Sequence, residues 1–246
     1  IFSFALAGMM VGAMALAPLA DIIGRRALII LSLMIVGISV IMTSKVESLT
    51  PFMLLRFISG MGAGALLASQ ASLAAEYSPN KYRALSVAIV TAGYPTGAMM
   101  TSVVAGYILP EYGWRMMFLF GGVVTVSMVI VAWLMIPESL KYLIEKKPNN
   151  ALEKINKILL KLNAPSISEL PPSNNDREVT VSMIGNMRML LSPKFRRLSL
   201  MLWTSFFCAF GTLYFLMSWI PKLMENAGYD MAVGRDAFLL FNLGGV

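Results

Sequence analysis

The sequence predicts an all-α integral membrane protein with six full transmembrane helices and the start of a seventh. Charge is scarce: 13% of the 246 residues are charged and 57% are hydrophobic, whereas soluble domains carry about 25% charge. The mean hydropathy is +0.72. The apolar residues come in long blocks of the length a helix needs to cross a bilayer core, without the alternating polarity of barrel strands.

The blocks run 1–20, 27–44, 52–75, 84–109, 114–136 and 198–220, and a seventh starts near 237. The third has a start signal, since Thr50 suits a cap and Pro51 the first helical position. Pro95 removes one backbone hydrogen bond from the fourth block and is expected to bend it. Gly8/Gly12, Gly60/Gly64 and Gly93/Gly97 are each spaced by four. Such pairs let helix backbones approach closely, which holds spans together in lipid; a moving hinge is the alternative.

Between the fifth and sixth blocks, "NNALEKINKILLKLN" (149–163) sets Leu152, Ile155, Leu159 and Leu162 on one helical face and Lys154, Lys157 and Lys161 on the other. That pattern fits an interfacial or bundle-capping helix. "APSISELPPSNNDRE" (164–178) is expected to be a flexible linker, and "VSMIGNMRMLLSPKFRR" (181–197) to return the chain to the membrane. The organisation is therefore 1–136, the larger part of a first helical half; 137–197, a central loop with amphipathic helices; and 198–246, the start of a second half. Both ends lie inside apolar runs, so a piece of a longer membrane protein is expected.

The net charge of +7 does not point to nucleic acid, because the basic residues fall in loops between spans. Loops 21–26, 76–83 and 137–197 hold fifteen Lys and Arg; loops 45–51, 110–113 and 221–236 hold three. The first set should be cytoplasmic. The absence of His removes His triads, His proton relays and His metal sites. No nucleophile–base pair or metal cluster is visible, so neither an enzyme nor a resident metal or cofactor is expected. The one cysteine, Cys208, has no partner for an internal disulfide.

The charges that remain sit at span ends. "PLADIIGRRALII" (18–30) places Asp21, Gly24, Arg25 and Arg26 between two apolar runs. Glu76 and Arg83 follow the third block; Glu138 and Lys141 follow the fifth. All would lie at the cytoplasmic face. Either they form solvated turns that set topology, or they pair across helices as a gate latch whose pairs change with state. Arg56 differs, because it falls about 9 Å into its helix from Thr50. It either snorkels to the outer interface or lines a cavity, where a guanidinium suits a carboxylate. Softer candidates for a substrate or proton path are Ser69, Gln70, Tyr94, Trp203, Phe206, Phe207 and Tyr214. Arg115, beside Trp114, is expected to anchor the outer interface.

These motifs carry a resemblance. "ALAPLADIIGRRALII" resembles the signature loop between the second and third spans of the major facilitator superfamily, with Ala17 where Gly is usual and Ile22 where a basic residue often stands. "LLRFISGMGAGA" resembles the motif of its fourth span, "EYSPNKYR" its acid–arginine pair after that span, and "PESLKYL" the end of its sixth span. Leu140 and Lys141 stand there in place of Pro and Arg, which removes a bidentate partner. The resemblance covers the family's second span into its eighth and implies two six-helix halves with alternating access.

"GYPTGA", "GWRMMFLFGG" and "LYFLMSWIPKLMENAGY" look most like the aromatic-acid:proton symporter branch. The resemblance therefore implies a monomeric transporter in a bacterial inner membrane, with a small organic anion and protons as its partners. The alternatives are a sugar or other neutral-solute porter, and a transporter-like receptor without flux. The spans contain no deep Asp or Glu, so a coupling carboxylate is expected outside this stretch.

Overall fold

The computed structural model describes residues 2–162, 165–170 and 189–245. The chain divides into two compact units, Ile1–Pro172 with Gly245–Val246, and Ser173–Gly244.

The first unit opens with α1 (Phe2–Val11), a π-helical turn (Gly12–Leu16), a 3₁₀ turn (Ala17–Leu19) and α2 (Ala20–Ile23). Together they form one apolar stretch, Ser3–Ile23, long enough to span. The α geometry fails just before Pro18, which has no N–H to give the preceding turn and whose ring crowds it. α3 (Arg25–Thr43) and α4 (Leu49–Tyr77) follow. α4 starts earlier than expected: Ser48, with extended φ and ψ of −123° and 157°, takes the cap position rather than Thr50. Pro51 is then the third helical residue, still inside the first turn where its missing N–H costs no bond.

The largest departure from expectation is the fourth and fifth blocks. No loop separates them at 110–113. Helical hydrogen bonding runs on as α5 (Arg83–Met135), broken only at Gly113, whose φ of 72° and ψ of 179° are not helical. This backbone region is open essentially to glycine alone. The chain reverses there. Arg83 begins a few residues after Tyr77, Trp114 packs on Phe52 near the start of α4, and the Trp133 carbonyl returns to Arg26. The two arms, 83–112 and 114–135, therefore form a hairpin. At Pro95 the backbone keeps helical φ and ψ; the break in α5 falls at Gly113 instead.

Small residues set the crossings. A Cβ on Gly8 or Gly12 would collide with the backbone of Phe57 or Met61, and one on Gly60 or Gly64 with that of Ala5 or Met9. These four glycines thus interlock α1 with α4 at backbone contact. Gly37 and Gly122 do the same for α3 and the second arm of α5: an added Cβ would lie 2.6 Å from Val126 Cγ2 and 2.8 Å from Ile41 N, respectively. Gly93 and Gly97 differ, because nothing among the described residues comes within 4 Å of a Cβ there. The buried interior is built of Leu28, Ile29, Ala65, Leu73 and small hydroxylated residues, while large side chains such as Met135, Leu134 and Ile130 are exposed. That inversion is expected when the surrounding solvent is lipid.

Beyond the bundle lie α6 (Leu140–Lys146) and α7 (Ala151–Lys161). α7 is the expected amphipathic helix. Most of the linker (164–178) and the first part of 181–197 lie outside the described residues. The second unit holds α8 (Arg196–Asn226) and α9 (Met231–Leu243), joined through Gly228 at φ 85°. Gly234 of α9 lies against Pro221 of α8, at 3.2 Å from an added Cβ.

Candidate functional site

The loop that interrupts the first two apolar runs folds around a carboxylate from far along the chain. Gly24 adopts φ 97° and ψ 151° and caps α3. Glu138 Oε1 accepts hydrogen bonds from the Arg26 N–H (3.1 Å) and the Ser139 N–H (2.9 Å). Arg26 is the second residue of α3, so its N–H is one of the donors a helix start leaves unpaired. The anion also sits where the helix dipole favours it. Glu138 fits because Gly24 has no side chain: a Cβ there would lie 2.6 Å from Glu138 Oε2.

Arg26 works in the opposite sense at a helix end. Its Nη2 donates to the carbonyl of Trp133, among the last carbonyls of α5. Tyr77 Oη, at the end of α4, donates to the Glu138 carbonyl at 2.6 Å. Arg25 Nη1 lies 2.7 Å from Glu76 Oε1, with only 14% and 19% of the two side chains exposed. Proximity holds this ion pair, since Glu76 Oε1 has no hydrogen-bond partner among the described residues. The other oxygen, Oε2, accepts from Ser139 Oγ at 2.6 Å. The Ser139 hydroxyl also accepts from the Tyr142 N–H at 3.1 Å and so caps α6.

One cluster therefore ties together the α2–α3 turn and the ends of α4 and α5, and joins them to the start of α6. Of the residues singled out from sequence, it gathers Gly24, Arg25, Arg26, Glu76 and Glu138. It leaves out three. Asp21 and Arg83 are exposed and pair with no opposite charge among the described residues; Lys141 pairs with Glu145 (3.8 Å) on its own helix. Two members, Tyr77 and Ser139, were missed from sequence. Ser139 had left a signal, a serine directly before a short amphipathic stretch, which is the mark of a helix cap.

Arg56 stands near the other end of α4. Its guanidinium carbon lies 4.3 Å from the centre of the Phe118 ring and 5.4 Å from that of Phe52. Phe52, Trp114 and Phe118 pack edge-on at centroid distances of 5.8–6.1 Å. No acidic side chain among the described residues pairs with Arg56, which the two ring faces stabilise instead. An open cleft of about 440 Å³ lies beside this aromatic group. Arg115 stacks on Trp114 at 4.8 Å and reaches the Val46 carbonyl at 3.4 Å.

The softer candidates do not converge on either place. Ser69 is buried with no hydrogen-bond partner for its hydroxyl among the described residues, and Gln70 is half-buried. Tyr94 is exposed. In the second unit, Phe207 is 80% exposed, and Tyr214 stacks on Phe210, which stacks on Phe206 (6.3 and 5.9 Å).

A polytopic helical bundle braced at one end by a half-buried ion cluster, with a half-buried arginine inside a span, has the architecture of a membrane carrier. The chain matches the Major Facilitator Superfamily over residues 1–246, and it belongs to that family. It is 30% identical over its whole length to the 4-hydroxybenzoate transporter PcaK of Acinetobacter baylyi, covering 54% of that protein. It is 29% identical over 99% of its length to the benzoate transport protein of the same species, covering 53% of it, and 26% identical over its whole length to the gallate transporter of Pseudomonas putida, covering 54%.

The chain thus spans about half the length of the curated relatives it matches. Its fold is similar to that of the proton:xylose symporter XylE, with a TM-score of 0.64 and 17% identity over 94% of this chain and 53% of that one. The family and these relatives are transporters, not enzymes, and the chain is a multi-pass protein of the bacterial inner-membrane type.

Proposed function

We propose that the full-length protein is a monomeric secondary transporter that carries an aromatic carboxylate across the membrane with protons, by alternating access. In this reading residues 1–136 supply most of the first helical half and 198–246 begin the second. The observation that carries the reading is the half-buried cluster of Arg25, Glu76, Arg26 and Glu138. It braces four chain segments at the end that the charge rule makes cytoplasmic. Alternating access by rocking needs each half to move as a stiff body.

The cluster stiffens one half from within, so its pairs are braces rather than the moving latch. Asp21 and Arg83 are the charges left exposed beside it, and they are the ones free to form contacts that change with state. The substrate class follows from relatives that match the whole chain and are named for benzoate, 4-hydroxybenzoate and gallate. Arg56, unpaired with any carboxylate among the described residues, offers a guanidinium to such an anion.

The test is uptake of labelled benzoate-type acids by the full-length protein in vesicles, with and without a pH gradient. Accumulation that rises with the gradient is expected. Flux indifferent to the gradient removes proton symport, and binding without flux makes the protein a receptor. An excess of unlabelled sugar should not compete; if it does, the substrate assignment is overturned.

A further inference from the structure

The helical hairpin α6–α7 presents a cationic face that no carboxylate among the described residues fully neutralises. Its turn, Lys147–Asn150, is fixed by two left-handed residues, Lys147 at φ 45° and Asn150 at φ 62°. One side of the hairpin is packed, with Leu143, Ala151 and Ile155 each less than 5% exposed. The other side of α7 carries Glu153, Lys154, Lys157, Leu160 and Lys161, all exposed. Two carboxylates belong to the hairpin and both are already taken: Glu145 pairs with Lys141 (3.8 Å) and Glu153 with Lys157 (2.6 Å). Lys146, Lys147, Lys154 and Lys161 pair with no carboxylate among the described residues.

A leucine interrupts this basic surface: Leu160, between Lys157 and Lys161, is 67% exposed. Nor is the hairpin remote from the bilayer. Four residues separate Met135, the last of the α5 span, from Leu140, a reach of about 18 Å at most. The Ser139 and Tyr77 bonds hold that start against the end of α4. Basic side chains around an exposed leucine, at a span end, form the pattern of a surface that enters a lipid interface. Unpaired juxtamembrane lysines attract acidic headgroups.

We propose that this face of α6–α7 docks on acidic phospholipid in the leaflet it adjoins. Lys146, Lys147, Lys154 and Lys161 meet the headgroup phosphates, and Leu160 enters the acyl boundary. The proposal is independent of the transported substrate.

The test uses the full-length protein as a Cys208→Ser, Leu160→Cys variant labelled with an environment-sensitive fluorophore, in phosphatidylcholine vesicles with or without phosphatidylglycerol. Expected is a blue-shifted emission, quenched by bromine-labelled acyl chains, that appears with phosphatidylglycerol and fades as salt is raised. Replacing all four unpaired lysines by Gln should weaken the phosphatidylglycerol response by roughly tenfold or more. The salt titration of the labelled protein tests the idea even if that fourfold variant fails to fold. A label that stays in water in acidic vesicles overturns the proposal. So does a label shielded equally in neutral and acidic vesicles, which would mean that another part of the protein covers this face.

Discussion

Gly24 shows how one missing side chain organises a site. Its φ of 97° and ψ of 151° suit glycine alone, and the space its Cβ would fill is held by the Glu138 carboxylate. Gly24→Ala therefore incurs backbone strain and loses the Glu138 cap on α3. We expect a loss of about 1–3 kcal/mol, read as a lower melting temperature in detergent, together with reduced uptake. Unchanged stability would show that Glu138 moves aside at little cost. Ser139 has two tasks on one hydroxyl, donating to Glu76 and capping α6. Ser139→Ala should cost about 0.5–2 kcal/mol, and Ser139→Thr, which keeps the hydroxyl, should restore most of it. Equal losses in both variants would mean that space rather than the hydroxyl matters. Asp21, by contrast, touches nothing charged among the described residues. Asp21→Asn should leave insertion and thermal stability intact and reduce uptake; normal uptake would remove it from the gate.

At the scale of the elements, adjacent glycines of α5 make opposite predictions. A Cβ on Gly122 meets Ile41 and the Gly37 carbonyl, while nothing lies within 4 Å of one on Gly121. Gly122→Leu should destabilise the bundle by about 1–3 kcal/mol through overpacking, and Gly121→Leu should be close to neutral. Similar melting temperatures for the two would show that α3 and α5 do not cross where these contacts place them. The α7 helix has its own pH dependence. The Lys157 ammonium beside Glu153 holds that carboxyl below the usual carboxylate range. Its contribution is then fully present above the pH where an unfolded glutamate titrates, and is lost as pH falls through the lowered value. The protection factors of the α7 amides should be steady across neutral and mildly acidic pH and fall only in stronger acid. A loss of protection already near neutral pH would show that the pair does not hold the helix.

On the scale of the whole molecule, the sequence by itself determined the solvent and the fold class. Long apolar blocks and scarce charge leave helices in lipid as the physical solution, because backbone groups without water must pair within their own segment. It also determined the sidedness expected from fifteen basic residues against three, and the Gly8/Gly12 and Gly60/Gly64 spacing that locks α1 to α4. The same spacing at Gly93/Gly97 found no neighbour in the described chain, since a small-residue strip permits a close approach without naming the partner. Gly37 and Gly122 escaped notice because each does its work alone, against a helix distant in sequence.

The candidate site was legible as a set of charges at span ends but not as a wiring diagram. Only the tertiary structure decided that Glu138 caps α3 across 112 positions, that Arg25 and Glu76 pair inside one unit, and that Asp21 and Arg83 stay outside the cluster. A sequence fixes which charges lie near a membrane surface through local hydropathy. Which charge meets which depends on how the helix ends are brought together, and close packing between distant segments sets that.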